Sequence, residues 1–333
     1  MRLRSVSIWI LRVALLISVL SLSVTRSSWA ADSKEPILIG TETWPGYLPL
    51  FVARDKGFFK EEGVTVVLKR YVALGELSKD YVAGKLQGRA NLTLEMVNER
   101  LQGLDHKAVL AIDYSNGSDA VIARSPVQHI KDCKEKRVAF EPGTLEEFFL
   151  AWALQAHELS LNDVVPVYLD PEASATQLRE RAVDVAISHE PFLTEALKDP
   201  EIHVIYSSAE APGLITDVLT FRTDIIQQRP DSVRAIIRAY FRGLRFWKEH
   251  PDEAHAILAL EFGITADEVA EQMKGIRMLD ERDNQTAFTF AVGLESLYGN
   301  LRQIGKFVKT HQERTETELN TDALIDKQFV KQL

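Results

Sequence analysis

Short apolar runs alternate with longer stretches of helical period along most of the chain. Ile37-Leu38-Ile39-Gly40 reads as a buried strand. A loop at Trp44-Pro45-Gly46-Tyr47 follows, then a helix over 50–60 broken near its end by Gly57 and Gly63, then a β-branched strand over 64–68. Helices near 76–83 and 95–102 alternate with strands near 90–93 and 108–112. The pattern restarts with strands at 119–123 and 136–140 and a long helix over 144–157. Short apolar strands at 164–168, 183–187, 202–206 and 215–221 come next, separated by helices. From Pro230 onward the period is helical, over 230–249, 251–262, 265–274 and 284–301. Such alternation predicts an α/β chain whose sheets are of parallel type and covered on both faces. The strands at 119–123 and 215–221 read as two crossings between lobes. They divide the chain into one lobe of 36–118 with 222–333 and a second of 124–214. There is no internal repeat and no low-complexity linker.

The first 30 residues follow a different logic. Arg2 and Arg4 precede an apolar run, Val13 to Val24, that only serines interrupt, and Ser28-Trp29-Ala30 places small residues where a signal peptidase reads. The run falls short of the roughly 20 apolar residues a spanning helix needs. The expectation is a secretory signal cleaved before Ala31, with the mature protein in the periplasm. Cleavage would remove four arginines and no acid, taking the formal charge from −9 to −13. That balance argues against nucleic acid or an anionic membrane surface as partner. The 303 residues left after the 30 suit two domains of ordinary size. Cys133 is the only cysteine and is read as a small buried hydrophobe rather than a nucleophile.

Candidate chemistry gathers where predicted strands end, the place where open α/β sheets bind ligands. Trp44 and Tyr47, on the Pro-Gly turn after the first strand, offer a flat apolar wall with polar tips. Thr93 and Glu95 follow the strand at 90–93. Gly143 and Thr144 open the long helix, with Thr144 as N-cap and Glu147 completing a capping box. Anion binding at that helix end competes with Glu146 and Glu147 in its first turn. Glu190, in Ser188-His189-Glu190-Pro191, stands either at a ligand or against its own helix dipole, and Asp217 sits near the second crossing. The eight histidines are scattered and read as surface or packing residues. No GxSxG, Walker A or HExxH pattern and no metal-ligand spacing occurs, so no enzyme, cofactor or metal is expected.

Several segments together resemble nitrate/sulfonate/taurine-type solute-binding proteins of ABC importers, a family that also includes binders of thiamine pyrimidine precursors. They are Trp44-Pro-Gly-Tyr47, the run from Leu50 to Gly63-Val64, Asp113-Tyr-Ser-Asn-Gly117, the run from Ile130 to Val138-Ala139, Glu141-Pro-Gly-Thr144 and Asp184 to Pro191. The likeness runs from about 37 to 300. Cys133 departs from the family's usual Leu, and residues 84–91 lack the acid often found before that strand. The resemblance implies a type II periplasmic-binding-protein fold, two α/β lobes joined by a two-crossing hinge. A small-molecule solute would bind in the cleft by hinge closure, and a membrane permease of the importer would be the partner of a monomer. A ligand-presenting sensor, or a pyrimidine-precursor synthase on the same scaffold, are the other classes. The candidate residues are acid-rich: Glu42, Glu95, Glu141, Glu190 and Asp217. They suit an aminopyrimidine-like or other N–H-rich solute, or a zwitterion such as taurine, better than a bare anion. Lys274 or Arg277, reaching in from the helical tail, would reverse that preference.

Overall fold

Strand β1, Ile37–Thr41, opens on a continuous apolar run and is largely buried, and it leads through α1, Leu48–Asp55, to β2, Val66–Arg70. Helix α2, Leu74–Val82, returns to β3, Gly88–Leu92, which lies parallel to β1 on the side away from β2. The computed structural model describes residues 35–72, 74–311 and 319–332; the expected export signal and its cleavage site lie outside them. Helix α3, Thr93–Leu101, leads to the long strand β4, His106–Ser115.

The chain then passes through 116–118 into a second sheet. This sheet contains β5, Asp119–Arg124, β6, Arg137–Phe140, helix α4, Leu145–Ala156, β7, Val165–Tyr168, β8, Val185–His189, and β9, Ile202–Ser207. It returns through 208–215 to β10, Thr216–Arg222, inserted between β3 and β4. After α5, Pro230–Glu249, it adds β11, Ile276–Met278, on the outer side of β4. The strand orders are β11-β4-β10-β3-β1-β2 and β7-β6-β8-β5-β9.

The expectation of parallel-type sheets holds for β1 with β2 and β3 and for β6 with β7 and β8, and is corrected for the rest, so both sheets are mixed. β10 runs antiparallel to β3 and β4, β11 antiparallel to β4, and β5 antiparallel to β8 and β9. The reason is geometric. β10 and β5 each enter their sheet from a crossing, at the end where the parallel strands finish, and can only run back down. The two crossings are tied to each other. The Ser115 N–H donates to the Ile215 carbonyl at 3.1 Å, and the Ser208 hydroxyl lies 2.8 Å from that of Ser115 and accepts the Gly117 N–H at 2.7 Å.

Helix boundaries fell within a few residues of the pattern up to 274, and those of 230–249 and 251–262 coincide with it. The helix expected at 284–301 is not there. In its place stand α6, Glu281–Ala287, and α7, Leu297–His311, with a loop between. Ser296 closes that loop: its hydroxyl donates to the Thr289 carbonyl at 2.7 Å and accepts the Tyr298 N–H at 3.3 Å, so the helical period restarts after it.

The first sheet is covered on one face by α1 and α5, which bury Phe51, Tyr240 and Phe241 against Ile37, Ile39 and Phe221. Gly243 lets α5 come this close, because a methyl group there would collide with the Pro49 carbonyl. Cys133 is fully buried in apolar surroundings, which push its thiol up to about 12, as a packing residue requires. No helix among the described residues is long and apolar enough to cross a membrane.

One contact of α6 positions the site. Asn284 is fully buried and acts as a substitute strand neighbour for β4 beyond the end of β11. Its Oδ1 accepts the Ala111 N–H at 2.8 Å and its Nδ2 donates to the Ala111 carbonyl at 2.9 Å. Asn284→Ala strands both groups in the core and should cost about 3 kcal/mol. Thermal melting followed by circular dichroism should show a midpoint lower by roughly 4–6 °C; an unchanged midpoint would mean that β4 is held elsewhere.

Candidate functional site

The register of β10 on β4 sets Asp217 opposite Asp113, two residues before the first crossing and just after the second. Both are buried, and each receives one hydrogen bond from the turn after β1. Trp44 Nε1–H donates to Asp113 at 3.3 Å. The Tyr47 hydroxyl donates to Asp217 Oδ1 at 2.5 Å, with Glu42 Oε1 at 3.3 Å from the same hydroxyl. Gly46 permits this fit, since a methyl group there would overlap the Asp113 carboxyl and the Trp44 ring. Loss of water pushes the Asp113 carboxyl up to about 8, helped by Asp119. Burial, and then Asp113, holds Asp217 well above the usual carboxylate range.

The second sheet brings its own charges to the same place. Asp119, the first residue of β5, is opposite His189 at the end of β8. His189 Nε2 lies 3.6 Å from Glu146 Oε1 in the first turn of α4, and its Nδ1 is 2.8 Å from the Glu190 carbonyl. Burial works against a charged His189, but Glu146 and Asp119 outweigh it and raise the ring. Burial raises Asp119 to about 6 against the pull of His189. Groups of the second sheet act on those of the first here: His189 on Glu42, Glu146 on Glu95, and Asp119 on Asp217. Loss of water, and then Glu95, lifts Glu42 to about 8.

The sequence-predicted residues divide into three sets. Trp44, Tyr47, Glu95 and Asp217 do come together, but Trp44 and Tyr47 spend their polar tips on aspartates. Glu95, in the first turn of α3 behind the buried Thr93, pairs with Arg89 at 2.7 Å. Gly143 and Thr144 stand on the second sheet's side, next to Glu141 and Glu146. Gly143, left-handed at φ 79°, donates its N–H to Glu147 at 2.6 Å, and the Thr144 hydroxyl donates to the Glu141 carbonyl at 2.8 Å. The expected capping box is therefore corrected: Thr144 is the N-cap without a side-chain cap, because its hydroxyl is turned back to the loop. Glu190 braces its own helix, accepting from Thr194 N–H at 3.2 Å and Thr194 Oγ1 at 2.9 Å.

Lys274 pairs with Glu271, and Arg277 pairs with Glu295 and Asp283 at the surface, so each tail cation has a partner elsewhere. Sequence reasoning missed Arg89, Asp119, Glu146 and His189. Arg89 is fully buried on β3 and also pairs with Glu99, while His106, read as a packing residue, lies 3.7 Å from that same Glu99. His189 corrects the reading of the histidines as surface or packing residues. Its position at the end of a buried strand, beside a proline turn, was the available signal. Among the described residues no group of His, Cys, Asp or Glu is placed to hold a metal ion.

The family model described as NMT1/THI5 like matches residues 44–254, and the chain belongs to that family. A Bacillus subtilis protein named for binding aliphatic sulfonates is 24% identical over 291 residues, which is 85% of this chain and 81% of that one. The riboflavin-binding protein RibY of Chloroflexus aurantiacus is 28% identical over 224 residues, 65% of this chain and 62% of its own. The crystal structure of the periplasmic aliphatic sulphonate binding protein SsuA from Escherichia coli superposes with a TM-score of 0.74 at 14% identity, covering 89% of this chain and 93% of that one. The fold is thus that of the two-lobed periplasmic binding proteins.

The buried acids make stability depend on pH. Asp113 and Glu42 keep their protons in the folded protein up to about pH 8, whereas the unfolded chain releases them near pH 4. The folded state binds more protons across that interval, so stability falls as pH rises. His189, raised by its acid neighbours, works in the same direction. His106, lowered to about 4 by burial, works oppositely, but only below its unfolded value of roughly 6.5. Between pH 6.5 and 8.5 the ligand-free protein should therefore lose roughly 1–2 kcal/mol through Asp113 alone. Asp113→Asn, which keeps an acceptor for Trp44, should flatten that slope in thermal melts. A midpoint that stays level or climbs over this interval would contradict the assignment.

Proposed function

We propose that this member of the NMT1/THI5-like family is the exported solute-binding component of an ABC importer, closing two lobes around a small organic solute. One lobe comprises 36–118 with 222–333 and the other 124–214. The observation that carries the reading is the meeting of polar groups from both sheets at the two tied crossings. Glu42, Glu95 and Asp217 come from one side and Glu146, His189 and Asp119 from the other. A solute that touches both sets stabilises the closed form by its differential affinity for it. The binding-protein names of the relatives support the same reading, as does the secretory pattern of residues 1–30. In this proposal the mature chain begins at Ala31, works in the periplasm as a monomer, and delivers its solute to a membrane permease.

Binding rather than catalysis is the function we assign. The single cysteine is buried, its thiol pushed up to about 12, which is the opposite of an activated nucleophile. The residues around the solute are Glu95, Thr144 and Asp217, with Trp44 and Tyr47 holding the aspartates in place. Thr93 and Gly143 shape the two helix starts, and Glu190 acts through its brace to Thr194.

The test begins with residues 31–333 purified from cells and denatured, with released small molecules identified by mass spectrometry. One compound near stoichiometry is expected. Returned to the refolded protein, it should shrink the radius of gyration in small-angle scattering. A released compound that binds tightly yet leaves the scattering unchanged would remove the hinge from the proposal.

A further inference from the structure

Asp113, Asp119 and Asp217 form a buried trio at the crossings. Asp113 stands two residues before the end of β4, Asp119 leaves the first crossing, and Asp217 leaves the second. Each is exposed by 4% or less, and each acts on another of the three. Their hydrogen bonds fall well short of what three carboxyls can accept. Asp113 has the indole of Trp44, Asp217 the hydroxyl of Tyr47, and Asp119 the hydroxyl of Ser115. The second oxygens of Asp119 and Asp217 have no partner.

The cations near the trio are engaged elsewhere. Arg89 is held between Glu95 and Glu99. His189 acts on Asp119, but its ring nitrogens lie against Glu146 and the Glu190 carbonyl. Buried carboxyls without N–H donors are costly as anions, so burial holds Asp113 and Asp217 above the usual carboxylate range in the empty protein, and a cation brought among them would take the place of their protons, which an anion such as sulfonate or nitrate cannot do.

We propose that the bound solute inserts a positively charged N–H group, an amine, amidine or guanidine, among Asp113, Asp119 and Asp217, and that this trio selects such solutes over sulfonates. The inference rests on the solute-binding reading above and specifies its chemistry. N–H groups of the solute satisfy the two unpartnered carboxyl oxygens. Burial, which holds Asp217 and Asp113 above their ordinary range in the empty protein, then becomes an advantage, because a charge pair formed out of water is weakly screened. The aspartates belong to strands of both sheets, so the same cation that neutralises them draws the two sides together.

The experiment titrates the refolded chain 31–333 with benzamidine, agmatine and ethanesulfonate at constant ionic strength, read by thermal shift and calorimetry. Saturable stabilisation by benzamidine or agmatine and none by ethanesulfonate is expected. Asp119→Asn and Asp217→Asn, each placing an N–H₂ where an acceptor stood, should weaken the cation's binding at least tenfold. Circular dichroism of the empty variants checks that they fold. Should both fail to fold, Asp217→Glu, which keeps the charge, is expected to retain cation binding. Stabilisation by ethanesulfonate at lower concentration than the cations overturns the inference, as does full cation binding by both Asn variants. An anionic compound released from the purified protein would leave the solute-binding reading standing and sink this one. Release of no compound together with no response to any probe would sink both.

Discussion

Two carboxyls on neighbouring strands, withdrawn from water, set the terms for everything around them. Strand β10 can enter its sheet only between β3 and β4, and in that register Asp217 falls opposite Asp113. Solvating one buried carboxylate takes several hydrogen bonds; a pair side by side adds mutual repulsion. The turn after β1 supplies what local structure can: one indole N–H, one phenol O–H, and a glycine that lets both come close. Those donors do not suffice to ionise both groups, and burial holds both above the usual carboxylate range. Ordinary folding pressure would replace such a pair with apolar residues, which often stabilises a core. Its presence where the chain crosses between sheets is therefore best understood as a property of the occupied state.

The same logic separates the acids that are structural from those that are not. Glu99 is fully buried, yet it has Arg89, Ser78 and Asn91 around it and completes its bonds within the protein. Burial still lifts it to about 7, which shows how large the loss of water is even for a paired group. Glu190 is satisfied by Thr194 alone, the economy of a helix start. Asp119 and Asp217 each keep an oxygen with no partner. The difference lies in completeness of hydrogen bonding, since all of these carboxyls are withdrawn from water.

Most of the elements were legible because period and length are local properties. Pro230–Glu249 carries its apolar face at helical spacing over 20 residues, and no tertiary contact could move its ends far. The stretch from 284 to 301 misled because it contains good helical spacing on both sides of a break. The break is made by Ser296 reaching back to Thr289, and by Gly299 packing against the backbone of Val292 and Gly293. Strand direction was hidden for a related reason. A run of apolar residues records burial, not the end from which the chain enters the sheet.

The site was legible only in part, and the missing part has a common cause. Trp44, Tyr47, Glu95 and Asp217 stand near strand ends or turns, where linear motifs point. Arg89 sits inside a strand whose neighbours are Gly88 and Ala90, and nothing in that string tells that its guanidinium turns inward to Glu99 and Glu95. Asp119 and His189 are 70 positions apart in sequence and meet through antiparallel pairing of β5 with β8, a register no single segment contains. Counting charges along the chain could therefore suggest an acidic site but not which acids remain without partners. That distinction also bears on the relatives, one named for binding aliphatic sulfonates and another for binding riboflavin. A scaffold of two sheets and two crossings carries over between such proteins at low identity, while ligand preference resides in a few side chains at the strand ends. In the function proposed above those side chains are carboxyls, with Arg89 beside them already paired to Glu95 and Glu99.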